Sequence, residues 1–245
     1  MKIKIAPTLV VAALAVSGAA FAQTKAPEPD YTLSYNVGVV TDYRYRGISQ
    51  SRLHPALQGG IDYAHKNGFY VGTWLSTIKW IKDAGGDSNV EWDIYGGYKF
   101  PLGDVAMDVG VLRYQYNGNA LPVSANTTEI YAAGTMGIFT LKYSHAVTNT
   151  FGFANSRNSG YLDASAAFDL GDGYSLTPHV GYQNINHFSA GSYLDYALTL
   201  GKDFGNGFSA SAAVIGTDAK KAVYATPSGR FTGRTGLVLG AKYSF

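Results

Sequence analysis

Glu91 and Asp93 stand two residues apart, so on an extended backbone their carboxylates share one face. That arrangement suits general acid–base work, a hard-cation site or a pair of hydrated wall charges. Ser144-His145 offers a nucleophile beside a base, as a membrane-embedded lipid hydrolase would need. Adjacent strand residues point to opposite faces, so these two cannot hydrogen-bond in that way. The five histidines are scattered without metal-ligand spacing. Absence of cysteine removes disulfides, thiolate zinc sites and cysteine nucleophiles. Gly38, Gly59-Gly60, Gly96-Gly97 and Gly181 open no helix, so they read as strand glycines, not phosphate loops. No catalytic residue, metal or cofactor is expected, and the chain reads as a non-enzyme.

The elements that carry these residues are strands. In the last ten positions Leu237, Leu239, Ala241, Tyr243 and Phe245 share one face, and Gly236, Val238, Gly240, Lys242 and Ser244 the other. One face suits hydrocarbon and the other water. The same split recurs in Val90, Trp92, Ile94 and Tyr98 against Glu91, Asp93 and Lys99, and in Leu194, Tyr196, Leu198 and Leu200 against Asp195 and Thr199. Twelve such segments follow from Tyr31 onward, over about 31–45, 55–65, 69–80, 90–100, 105–116, 127–136, 138–148, 160–170, 174–185, 192–203, 208–218 and 235–245. Short connectors such as Lys66-Asn-Gly68 and Gly171-Asp-Gly173 alternate strictly with long ones, as an up-and-down barrel requires. An even strand count puts both chain ends on the short-turn side. The expected fold is therefore all-β: a closed up-and-down antiparallel transmembrane β-barrel of about 12 strands over 31–245. Glycine and tyrosine enrichment, 30 and 19 residues, agrees with it.

Three places resist the pattern. Arg113 shares a phase with Val109 and Val111, which predicts a bulge near Gly110 that turns Arg113 inward and puts Leu112, Tyr114 and Tyr116 outside. Pro178 removes a ladder donor, which predicts a rim position or a bulge. Residues 69–80 carry aromatics on both faces and have no clear phase.

Residues 1–22 have a basic start, an apolar run from Leu9 to Val16 and the small-residue site Ala20-Phe21-Ala22, the three regions of a secretory signal peptide. Residues 23–30 read as a flexible periplasmic lead. Processing would remove Lys2 and Lys4 from the 19 basic side chains and leave them equal in number to the 17 acidic ones. No basic stripe for nucleic acid is evident.

Charge placement is more informative. The phasing lines the lumen with Asp42, Asp62, Glu91, Asp93, Asp108, Glu129, Asp163, Asp169 and Asp195 against Arg44, Lys99, Lys142 and Lys242. The long loops hold Arg46, Arg52, Lys82, Arg157, Lys220, Lys221, Arg230 and Arg234, a basic outer rim for lipopolysaccharide phosphates or anions. An acidic lumen favours cations or zwitterions.

Asp42-Tyr-Arg-Tyr-Arg-Gly-Ile-Ser-Gln50, Pro55-Ala-Leu-Gln-Gly-Gly-Ile-Asp-Tyr63, Gly68-Phe-Tyr-Val-Gly-Thr-Trp74 and Glu91-Trp-Asp-Ile-Tyr-Gly-Gly97 resemble the proteobacterial TorF-type porin family, also called Gcw_chp. Asp108-Val-Gly-Val111, Leu141-Lys-Tyr-Ser144 and Tyr193-Leu-Asp-Tyr196 continue the resemblance over most of the chain. It implies an outer-membrane barrel with pore activity in a Gram-negative bacterium. It implies no solute, and Ile78–Ala84 and Leu121–Asn126 lie outside it. The expected function is passive diffusion of small hydrophilic solutes, with membrane lipid and lipopolysaccharide as surroundings. Oligomeric state is left open. The alternative is a structural or adhesive barrel plugged by pairs such as Asp42 and Arg44.

Overall fold

The computed structural model describes residues 29–245. The expected signal peptide, and the lead up to residue 28, lie outside the described residues. In chain order, β1 (Tyr31–Val40) precedes a two-residue hairpin, β2 (Arg44–Tyr45) and β3 (Ile48–Ser49). Then come β4 (Ala56–His65), β5 (Phe69–Thr77), the helical turn α1 (Trp80–Asp83), β6 (Val90–Leu102), β7 (Val105–Gln115), β8 (Thr127–Met136) and β9 (Phe139–Ala146). The chain finishes with β10 (Gly160–Ala166), β11 (Phe168–Gly171), β12 (Tyr174–Asn184), β13 (Tyr193–Gly205), β14 (Phe208–Thr217) and β15 (Gly236–Ser244).

Among the described residues β2 and β3 pair only with each other, while β10 and β11 are two pieces of one wall strand. Both pair with β12 in one register, Ser165 opposite His179 and Phe168 opposite Leu176. In that register Ala166 falls opposite Pro178, which has no N–H to offer. The ladder to β13 runs through Pro178 without a shift, so the proline interrupts the neighbouring strand instead of forming a bulge. The wall thus has twelve strands, each antiparallel to its neighbours. It closes where β1 meets β15, Val39 opposite Ala241.

The polarity is the reverse of a water-soluble barrel. Leu33, Tyr35, Val37 and Val39 of β1 and Leu194, Tyr196, Leu198 and Leu200 of β13 are exposed on the outside. Glu91, Glu129 and Asp195 are buried inside. Around the short-turn end, Tyr35 stacks on Phe245, Tyr31 on Tyr63 and Tyr98 on Phe100, a ring of aromatics of the kind found at a lipid–water boundary. Inner-face glycines paired with tyrosines account for part of the glycine–tyrosine enrichment. A Cβ at Gly97 would collide with the Tyr70 hydroxyl, one at Gly110 with that of Tyr131 and one at Gly181 with that of Tyr161. Each tyrosine lies flat across a neighbouring strand because nothing stands there.

β5 settles the phase of the third segment. Tyr70, Gly72, Trp74 and Ser76 point inward, and Phe69, Val71 and Leu75 outward. The strand stops at Thr77, and the rest of the segment turns into α1. The bulge expected in β7 is absent, because its register with β6 and β8 is unbroken. Tyr114 and Tyr116 are buried inside. Arg113 stays on the outer face at the strand's end, donating to Gln115 Oε1 and to Thr128 Oγ1 at 2.9 Å.

Candidate functional site

The first strand ends at Val40, and residues 41–55 turn into the barrel instead of extending the wall. Two local features make the turn. Arg46 has φ of 47° and Gly47 of 76°, which closes the β2–β3 hairpin. Asp42 accepts from the hydroxyls of Ser49 and Ser51, and Arg44 bonds Asp42 and the carbonyls of Gly47, Thr232 and Arg234. A Cβ at Gly47 would lie 2.4 Å from Thr217 Cγ2 and 2.9 Å from Asp195 Cβ, so only glycine lets the hairpin tip seat against β13 and β14.

From that tip the Arg46 side chain crosses to the opposite wall. Its Nη2 donates to Glu129 Oε2 at 2.7 Å and its Nη1 to Gln183 Oε1 at 2.5 Å. The guanidinium carbon lies 4.2 Å from the Tyr161 ring centroid and 4.8 Å from that of Tyr45. Burial opposes the charge on Arg46, but Glu129, Tyr45 and Tyr114 together more than offset it, so its pKa is raised. Two tyrosines hold the loop elsewhere. Tyr43 donates to Glu91 Oε1 at 2.6 Å, and the Tyr45 hydroxyl meets that of Tyr114. Burial, then the charge of Glu91, pushes the Tyr43 hydroxyl well above its usual range, so it stays a donor.

Beneath this loop the wall carries a belt of ionisable groups. Glu91 also accepts from Tyr116 at 2.8 Å. Asp93 is buried beside it, and its Oδ1 meets no donor among the described residues. Across the lumen, His179 Nε2 lies 2.6 Å from Asp163 Oδ2, and Tyr161 donates to Asp195 Oδ2 at 2.9 Å. Asp108 accepts from Tyr70 at 2.6 Å, and Asp62 from Tyr95. Lys142 sits 4.1 Å from the Tyr131 ring centroid, and Lys99 5.1 Å from that of Tyr70. Toward the short-turn end lies a cavity of about 300 Å³, lined by small and polar groups including Asn36, Gln58, Ser209, Ser211 and Lys242. A second cavity of about 490 Å³ opens above the loop, among the long connections.

Residues 24–245 match the family described as "Bacterial protein of unknown function (Gcw_chp)". The chain belongs to the Gcw_chp family. No curated protein matches it. Its fold is similar to that of the KdgM porin, at TM-score 0.56 and 10% identity, covering 87% of this chain and 98% of that one. The NanC porin is similar at TM-score 0.51 and 10% identity, covering 87% and 99%. The COG4313 outer membrane channel from Pseudomonas putida F1 is similar at TM-score 0.52 and 11% identity, covering 89% and 96%.

In the Gcw_chp barrel the inward set is Asp62, Glu91, Asp93, Asp108, Glu129, Asp163, Asp195, Lys99, Lys142 and Lys242. Four expectations need correction. Asp42 and Arg44 are not wall residues. They tie the inward loop to itself and to residues 232–234, with side chains 8% and 4% exposed. Asp169 is exposed at the short-turn end, where it accepts from the Gly171 N–H at 2.9 Å. Arg46 is no rim residue, because a partner on the far wall draws it inside. Arg52 stays at the mouth, but Asp83 binds it through two nitrogens. Lys82, Arg157, Lys220, Lys221, Arg230 and Arg234 are exposed there. Ser144 faces in and His145 out, toward Asn158. His179, Gln183 and Tyr161 escaped notice in the sequence. A period of two through Gln183, Gly181 and His179 was the available signal.

Proposed function

We infer that this Gcw_chp barrel is an outer-membrane channel for passive passage of small hydrophilic solutes, preferring cations or zwitterions. The observation that carries the reading is the inside-out polarity. An apolar, aromatic-ringed exterior encloses a belt in which carboxylates outnumber cations. Charged groups in an enclosed space need water or partners, and rings of acidic side chains select cations. Similarity in fold to two porins and a channel supports the reading. Export by the N-terminal leader, and contact of the exposed basic mouth residues and Arg113 with lipopolysaccharide phosphates, complete it.

Purified protein in a planar bilayer with a salt gradient should give single-channel currents whose reversal potential reports cation preference. Anion selectivity would overturn the preference, and liposomes that fail to swell in sugars and amino acids would overturn the pore. The inward loop favours a second reading, a plugged structural barrel. That reading predicts no conductance either in the native protein or after the loop is released.

A further inference from the structure

All six long connections converge on the mouth cavity of about 490 Å³. Tyr45 comes from the first, Trp80 from the second, Leu121 from the third, Phe153 from the fourth, Ile185 from the fifth and Tyr224 from the sixth. Its floor is the inward loop. The volume falls within the range of about 300–1,000 Å³ typical of small-molecule sites. The lining is mostly apolar and aromatic. Its single carboxylate among the described residues, Asp83, is spent on Arg52, and Arg46 beneath it is spent on Glu129. Tyr45 and Tyr224 stay neutral, because burial raises both hydroxyls. The walls therefore offer no free charge to an ionic ligand.

We propose that this cavity is a binding site for a neutral aromatic compound. Ring faces and edges on several sides favour an aromatic guest. A charged guest would lose its hydration without gaining a counter-ion. The site needs only the folded barrel and its loops, so it stands or falls separately from conduction.

The test reads Trp80 directly. The chain has three tryptophans; Trp74→Phe with Trp92→Phe leaves Trp80 as the reporter. The protein is placed in lipid nanodiscs and titrated with 4-nitrobenzyl alcohol, with 4-nitrobenzoate as the charged counterpart of the same ring. The neutral probe should quench Trp80 with a saturable curve, and the anion should bind at least about tenfold more weakly because its charge finds no partner. Val123→Asp and Leu121→Asp each add an unpaired carboxylate to the lining; each should weaken the neutral probe by about tenfold, while heat-modifiable gel mobility shows an intact barrel. Quenching that only rises linearly, equal binding of the two probes, or unchanged binding in both folded Asp variants would overturn the proposal.

Discussion

Arg46 joins parts of the chain that the sequence keeps far apart. Its two acceptors, Glu129 and Gln183, are 83 and 137 residues away. Arg46→Ala leaves Glu129 buried without its cation, a loss of about 3–5 kcal/mol in comparable pairs. The expected outcome is release of the loop and a single-channel conductance raised by about twofold or more, as a constriction widens. Unchanged conductance in a folded variant would show that the loop does not narrow the path. Arg46 counted as a rim charge in the sequence because loop position suggests solvent, and nothing local reveals a distant carboxylate. Arg113 shows the opposite limit. A cation on a lipid face predicts a bulge, yet at the strand end Gln115 and Thr128 satisfy it.

The inward hairpin depends on one residue without a side chain. Gly47→Val adds atoms where Thr217 and Asp195 already stand, at a φ of 76° that a β-branched residue rarely adopts. It should give the same conductance change as Arg46→Ala without altering any charge, and a different phenotype would separate loop position from the guanidinium's own field. Strand phase was readable in β6, β13 and β15 because apolar and polar residues alternate cleanly. β5 hid its phase because Tyr70 and Trp74 face inward over glycines and Tyr43, where large aromatics are as welcome as on the outside. Pro178 kept its strand in register and broke the neighbour's, since a missing N–H is felt by the partner that would have accepted it.

For the whole molecule, the apolar exterior sets a directional test. Leu198 faces outward at mid-strand and Thr199 inward. Leu198→Arg should cost roughly 2–4 kcal/mol of folding stability in lipid vesicles; Thr199→Arg, with water available, should cost much less. Urea titration followed by gel mobility measures both, and equal penalties would argue against lipid as the outer medium. The architecture was legible from period-two alternation and from connector lengths. The path of residues 41–55 was not, because it rests on tertiary contacts with no local signature.

The seam between β1 and β15 has a consequence for biogenesis. Tyr35 exchanges backbone hydrogen bonds with Phe245, so the first strand of the wall finds one of its two neighbours only in β15, about two hundred residues later in the chain. Until then its edge is open, and an open edge cannot rest in hydrocarbon. The polypeptide must therefore be kept from aggregating until β15 has been made, and deleting β15 should leave it stranded before insertion and exposed to proteases.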